Sequence, residues 1–315
     1  MKRFNLALVG ATGLVGQEFL KILQEEGFDD RFLITPFSSS EGEIKIFGKS
    51  QKLFRLQENM DFSKFDFAIF SAGDDISRKF APMFKDGGAI VIDNSNAFRR
   101  DKDVPLVVPE INFGEVKSKK IISNPNCSTI QLVLVLNQIL KVLEIKKVVV
   151  SSYQSVSGAG KEALGDLFYG TRTVFKNGIS QNIVAEIGSI LNNGYCTEED
   201  KIMFESQKIL NKNFEIYAST VRVPVPFCHT ESVYVETEEK IDDAKFLEIK
   251  KLLNTRELFY TNETIFPNEL RGKNETCIFR MRKAGTNGLN FFVVADNLRR
   301  GAAFNAFLIL KKILK

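Results

Sequence analysis

Residues 4–9 form a short apolar run that predicts a strand, and Gly10, Gly13 and Gly16 follow it at once. Val15, Phe19, Leu20, Ile22 and Leu23 then recur at helical spacing up to Gly27. Further strands are expected over 31–37, 67–70 and 89–92, with Ile76, Phe80 and Phe84 marking a helix between the last two. Strands alternating with helices in this way predict a mostly parallel sheet covered on both faces. Residues 127–143 differ. Ile130, Leu132, Val133, Leu134, Val135, Leu136, Ile139 and Leu140 leave no polar face, so this helix is expected to be buried. Beyond it, strands are expected over 147–153, 216–223, 232–236, 277–282 and 290–295, separated less regularly by helices. That pattern predicts a second domain built on a mixed or antiparallel sheet. An amphipathic helix with a basic end follows at 298–314. A length of 315 residues fits two domains better than one.

Composition narrows the function classes. Hydrophobic residues make up 44% of the chain and charged residues 26%, a balance able to bury a core. The net charge of +4 is small and its basic residues are interleaved with acids, so no nucleic-acid partner is expected. No apolar run approaches the ~20 residues needed to span a bilayer. The N-terminus lacks the residue order of a signal peptide. No membrane partner is therefore expected, and the cytoplasm is the expected location. Cys127, Cys196, Cys228 and Cys277 show no C-x-x-C spacing, which argues against a disulfide framework and against structural zinc. The chain holds a single histidine, His229, so one residue alone can supply an imidazole, and no metal site is expected.

Three stretches carry chemistry. Gly10, Gly13 and Gly16 lie between a strand and a helix, where missing side chains let a turn tighten and a pyrophosphate approach the helix N-terminus. A glycine string also serves simple turns, but this placement favours dinucleotide binding. At the end of the second strand, Ser38, Ser39 and Ser40 suit a 2′-phosphate while Glu41 suits a free ribose hydroxyl, so the cofactor signal is split. Residues 124–129 (NPNCST) end a strand and open the buried helix, which puts Cys127 where a helix N-terminus favours a thiolate. Most free cysteines are small buried hydrophobes. The polar neighbours of Cys127 favour a nucleophile instead. Residues 222–231 (RVPVPFCHTE) contain His229; a lone histidine is more often structural, and Cys228 beside it is expected to point the opposite way on extended chain.

Taken together, these motifs resemble the aspartate-semialdehyde dehydrogenase family nearly end to end. The matching pieces are GATGLVGQ at 10–17, SAG at 71–73, DNSNAFR at 93–99 and VPLVVPEIN at 104–112. SNPNCST at 123–129, YQSVSGAGK at 153–161, RVPVPFCHTES at 222–232 and DNLRRGAAFNA at 296–306 complete the order, which is closer to the shorter bacterial branch. The resemblance implies an α/β protein with an N-terminal Rossmann-like dinucleotide-binding domain (1–126 and 297–315) and a mixed α/β catalytic and dimerisation domain (127–296). It implies Cys127 as the acyl-accepting nucleophile, His229 as acid–base and Gln154 as the group orienting substrate. Arg222 would pair with the substrate α-carboxylate, Arg99 with phosphate helped by Lys208, and Glu205 with the substrate amino group. Arg100 reads as a surface charge. Cofactor contacts would come from Gly10, Thr12, Gly13, Leu14, Val15 and Gly16, from Ser38, Ser39 and Ser40, and from Ser71, Ala72 and Gly73. Ser157, Gly158 and Asn297 would add to them.

The implied reaction is NADPH-dependent reduction of L-aspartyl 4-phosphate to L-aspartate 4-semialdehyde through a Cys127 thioester, with release of phosphate. Its product would feed lysine, threonine, methionine and diaminopimelate synthesis. A homodimer, or a homotetramer built from it, is implied as well. The family commonly carries a basic residue among the loop serines and this chain lacks it, so NADP is expected with NAD as the alternative. The rival readings are a reductase of N-acetyl-γ-glutamyl phosphate, a glyceraldehyde-phosphate dehydrogenase and a non-catalytic dinucleotide-binding paralogue. Cys127 and His229 argue against the last of these.

Overall fold

The computed structural model describes residues 3–315. In chain order the elements begin with β1 (Phe4–Val9), α1 (Leu14–Glu25), β2 (Phe32–Phe37), β3 (Gly42–Ile46), β4 (Lys49–Leu53) and β5 (Phe67–Phe70). Next come α2 (Asp74–Asp86), β6 (Ile90–Asp93), the short α3 (Pro109–Asn112) and β7 (Ile121–Ser123). The chain then enters α4 (Cys127–Ile139), β8 (Ile145–Gln154), α5 (Lys161–Tyr169), α6 (Thr197–Leu210), β9 (Glu215–Arg222) and β10 (His229–Thr237). It ends with α7 (Asp243–Leu252), β11 (Leu258–Thr261), β12 (Thr276–Ala284), β13 (Gly288–Ala295) and α8 (Phe304–Ile313). Two compact units result: residues up to Pro125 together with Ala302–Lys315, and Asn126–Gly301.

The first unit has a five-stranded sheet in the order β2-β1-β5-β6-β7, every pairing parallel. Its strands are apolar on both faces because both faces are covered. One face packs on an apolar cluster that includes Phe19 and Leu23 of α1 and Phe307 and Leu310 of α8. The other packs on Phe80 and Phe84 of α2 with Phe62, Phe65 and Phe70. The hairpin β3–β4 was not expected from the sequence. It is largely polar and pairs only with itself; its signals are a short alternation, with Lys45 exposed between half-buried Ile44 and buried Ile46, and a two-residue turn at Phe47 and Gly48, both with positive φ.

The second unit has a six-stranded mixed sheet in the order β11-β12-β13-β10-β8-β9, parallel at both edges and antiparallel between. The buried helix forms as expected but ends at Ile139 rather than running to 143. β10 starts three residues earlier than the expected 232, which makes His229 its first residue. The terminal helix is also modified. Residues Arg299–Ala303 form a π turn before α8, the kind of helix irregularity that accompanies functional sites. No helix among the described residues is long and apolar enough to cross a membrane.

Candidate active site

In the first unit β1 turns sharply at Gly10, whose φ of 89° favours glycine, and a Cβ there would lie 2.5 Å from the Ser71 carbonyl oxygen. The Gly10 and Ala11 amides both donate to the Phe37 carbonyl at 3.0 Å, which fixes the loop against the end of β2. The sheet order puts the chain reversal between β1 and β5, where open parallel sheets hold ligands. A cavity of about 490 Å³ opens there, with Gly10, Thr12, Gly13, Ser38, Ser39, Ser71 and Ala72 in its lining. Gly13 caps α1 without a side-chain bond, so the first helical amides keep their donors for an anion. The turn, the helix start and the hydroxyls together fit a dinucleotide.

Other expected cofactor residues sit around that cavity rather than on it. Leu14 and Val15 begin α1, and Val15 packs on the apolar cluster beneath. Gly16 is buried in the same turn, Gly73 precedes α2, and Ser40 accepts a bond from the Ser38 hydroxyl. Arg99, also in the first unit, is buried and donates to the Asn94 carbonyl at 2.8 Å. Its charge partly offsets the burial that pushes the Asp93 carboxyl up. Arg100 is exposed.

In the second unit α4 begins at Cys127. The Asn126 side chain accepts from the Ser128 and Thr129 amides at 2.9 and 3.3 Å and so caps the helix. Cys127 is half-exposed whereas the other three cysteines are buried. Burial pushes the Cys277 thiol up to about 12 and raises that of Cys228 further still. Cys228 does lie apart from the histidine ring, in an apolar cluster with Leu270 and Cys277. The reason differs from the expected one: its backbone is left-handed, with φ 69°, rather than extended.

Gln154 ends β8 and Arg222 ends β9, and the two pair in register. The Gln154 amide nitrogen donates to Ser128 Oγ at 3.1 Å and to Glu198 Oε1 at 3.0 Å, while its oxygen accepts from Arg222 at 3.3 Å. Arg222 also donates to the Ser155 carbonyl at 2.8 Å, yet its Nε is buried without a partner. Burial lowers its pKa, and the charges of Glu198 and Cys127 oppose that shift.

His229 is fully buried. The Ser155 backbone N–H donates to its Nδ1 at 3.0 Å, so Nδ1 must carry a lone pair and the neutral ring bears its proton on Nε2. That Nε2 has no partner. Burial, reinforced by the Arg222 charge, lowers the pKa of His229 to about 3. Gly158 lies against both of these side chains. A Cβ there would stand 2.7 Å from Arg222 Nη1 and 3.3 Å from His229 Nε2. Asn297 holds this turn by accepting from the Ser155 and Ser157 hydroxyls at 3.0 and 3.2 Å and from the Cys228 amide at 3.0 Å.

Sequence reasoning missed Glu198 and Lys201. They repeat, seven residues earlier, the three-residue spacing of Glu205 and Lys208. Glu198 and Glu205 are seven residues apart and both are buried, on one face of α6. Glu205 accepts the Asn126 amide at 2.7 Å and so supports the start of α4, and Lys208 lies near the Phe204 ring. Glu198 accepts from the Asn126 and Gln154 side chains and pairs with Lys201 at 3.2 Å. Burial opposes its ionisation, but the Lys201 charge, these two hydrogen bonds and the Arg222 charge prevail and hold its pKa near about 2.

Residues 5–119 match the family model described as semialdehyde dehydrogenase, NAD binding domain, and residues 136–300 match its dimerisation domain. The chain is 40% identical to the aspartate-semialdehyde dehydrogenase of Aquifex aeolicus, over 99% of this chain and 98% of that protein. It is 38% identical to aspartate-semialdehyde dehydrogenase 2 of Vibrio cholerae, over 100% of this chain and 98% of that one. The crystal structure of aspartate semialdehyde dehydrogenase II complexed with ASA from Vibrio cholerae superposes with a TM-score of 0.91, at 36% identity, covering 100% of this chain and 99% of that one. Sequence and fold agree across the whole length, and the chain belongs to the aspartate-semialdehyde dehydrogenase family.

Proposed function

We propose that the protein reduces L-aspartyl 4-phosphate to L-aspartate 4-semialdehyde, with Cys127 as the acyl carrier. The observation that carries the site assignment is the pair of orphaned donors, Arg222 Nε and His229 Nε2, on two side chains that both crowd Gly158, a residue without a side chain. Arg222 offers its unpaired Nε–H to the substrate α-carboxylate, the fork geometry favouring a bidentate pair. Glu205, with one oxygen on the Asn126 amide, is assigned to the substrate ammonium, while Glu198 holds the Gln154 and Asn126 side chains in place. Arg99, helped by Lys208, is assigned to phosphate.

Cys127 Sγ adds to the acyl carbon, and the bond from that carbon to the phosphate oxygen breaks, leaving a thioester and free phosphate. A nicotinamide cofactor would supply the hydride that reduces the thioester carbonyl. Gly10, Thr12, Gly13, Ser38, Ser39, Ser71 and Ala72 would hold it. His229 enters each addition as a donor: Nε2–H bonds the oxygen that gains charge, since Nδ1 is already engaged by Ser155 N–H. When the carbon–sulfur bond breaks, the oxyanion becomes the aldehyde carbonyl and Cys127 leaves as a thiolate. The protein acts as a homodimer; its second unit leaves Val149, Tyr153 and Tyr217 exposed on one sheet face. The cytoplasm fits this role.

The buried Glu205 also weighs against an N-acetylated substrate, which has no ammonium to meet it. Phosphate-dependent reduction of NADP with L-aspartate 4-semialdehyde is the test, with N-acetyl-L-glutamate 5-semialdehyde as comparison. Turnover of the first that vanishes without phosphate, and in Cys127→Ala, is expected. Preference for the acetylated substrate would overturn the assignment.

A further inference from the structure

The loop after β2 lacks a basic residue, yet the cavity beside it does not: Arg55 and Lys79 both line it, together with Ser38 and Ser39. We propose that Arg55 is the residue by which this protein recognises the 2′-phosphate of its dinucleotide, an inference that rests on the cofactor reading above.

The hairpin explains how Arg55 gets there. After β3 and β4 the chain returns to the end of β2, where Phe54 forms a parallel bridge with Phe37. The Phe54 amide donates to the Pro36 carbonyl and the Ser38 amide donates to the Phe54 carbonyl, both at 3.0 Å. Those two bonds fix Arg55, the next residue, alongside Ser38. The carboxyl end of the second strand is where Rossmann-type sheets meet the adenosine ribose, and an arginine there accommodates a 2′-phosphate.

Of the two cations, Arg55 is the available one. Lys79 pairs with Glu58 at 2.5 Å, and the bond from Lys79 lowers the Glu58 pKa. Arg55 makes no hydrogen bond or ion pair among the described residues. A planar guanidinium also matches phosphate geometry in a way an ammonium does not. Ser38 spends its hydroxyl proton on the Ser40 carbonyl, which leaves Ser39 as the hydroxyl donor beside Arg55. Glu41, which suited a free ribose hydroxyl, lies outside the cavity lining.

Direct binding tests this without turnover. Titration calorimetry would compare NADP, NAD, adenosine 2′,5′-bisphosphate and AMP on wild type, Arg55→Ala and Lys79→Ala. Arg55→Ala is expected to weaken NADP and the bisphosphate by about tenfold, the scale of one hydrogen bond to a charged group, with NAD and AMP within about twofold. Arg55 is exposed, so an unchanged melting temperature is expected. An equal loss for NADP and NAD overturns the inference. A loss of NADP preference in Lys79→Ala but not Arg55→Ala overturns it too. Wild type that binds NAD alone removes the 2′-phosphate contact but keeps the dinucleotide reading, whereas wild type that binds neither removes both.

Discussion

At Gly158 a side chain would have to occupy the space between Arg222 and His229. Gly158→Ala is expected to raise the Michaelis constant for aspartate 4-semialdehyde at least about tenfold, because the methyl displaces the guanidinium and bidentate recognition tolerates little error. Unchanged steady-state constants would remove Gly158 from the site. The histidine also sets an acid response. Its pKa is 6.5 unfolded and about 3 folded, so below 6.5 the unfolded chain binds a proton that the folded chain refuses. Stability from this group is full above 6.5 and falls as pH drops toward 3, by about 1.4 kcal/mol per pH unit. Glu231 acts with the opposite sign: burial raises its carboxyl well above 4.5, so it destabilises the fold as pH rises past that value. The difference between wild type and His229→Asn isolates the histidine. Denaturant midpoints from pH 7 to 5 should converge as the acid erodes the wild-type advantage; parallel curves would mean that the ring titrates normally. The polar setting of Cys127 was legible in the sequence, whereas the roles of His229 and Arg222 came only through the family resemblance. The Nδ1 contact that assigns the histidine proton was illegible, because it comes from the backbone of Ser155, seventy-four residues away in sequence.

Single elements divide sharply by how visible they are. α4 was legible because nearly every position along it is buried, and a helix apolar on all sides has no surface reading. The hairpin was not, since β3 and β4 expose most of their residues and bury only Ile46 and Leu53, too few positions for the alternation to stand out. α6 is subtler. Its two Glu–Lys pairs lie seven residues apart on one face, and only tertiary packing shows that Glu198 is the acid bonded to Gln154. Glu205→Gln keeps the shape and removes the charge, so it should weaken substrate binding about tenfold or more while leaving cofactor binding unchanged, as calorimetry with each would show. Glu198→Gln should instead lower the melting temperature, since a charged acceptor for the Asn126 and Gln154 side chains is lost. Substrate-binding losses confined to Glu198→Gln would reverse the two roles.

For the whole molecule, alternation of strands and helices predicted the parallel sheet of the first unit, whose single architecture has one period to read. The second sheet was legible only as a class, because its parallel edges and antiparallel centre depend on long connections that no local pattern records. One face of that sheet, with Val149 beside Tyr217 and Tyr153 further along β8, is apolar and open to solvent in the single chain. Val149→Lys with Tyr217→Glu should shift sedimentation from dimer to monomer; an unchanged dimer would place the interface elsewhere. The first unit carries a different consequence, one of timing. Its sheet is complete by Ser123, but Phe307 and Leu310, which close one of its faces, belong to α8. A ribosome that has released every strand of this sheet must still synthesise more than half the chain before the covering helix emerges. The nascent protein therefore carries an apolar face covered only in part, by α1, through most of its synthesis, and the unit made first is among the last to finish folding.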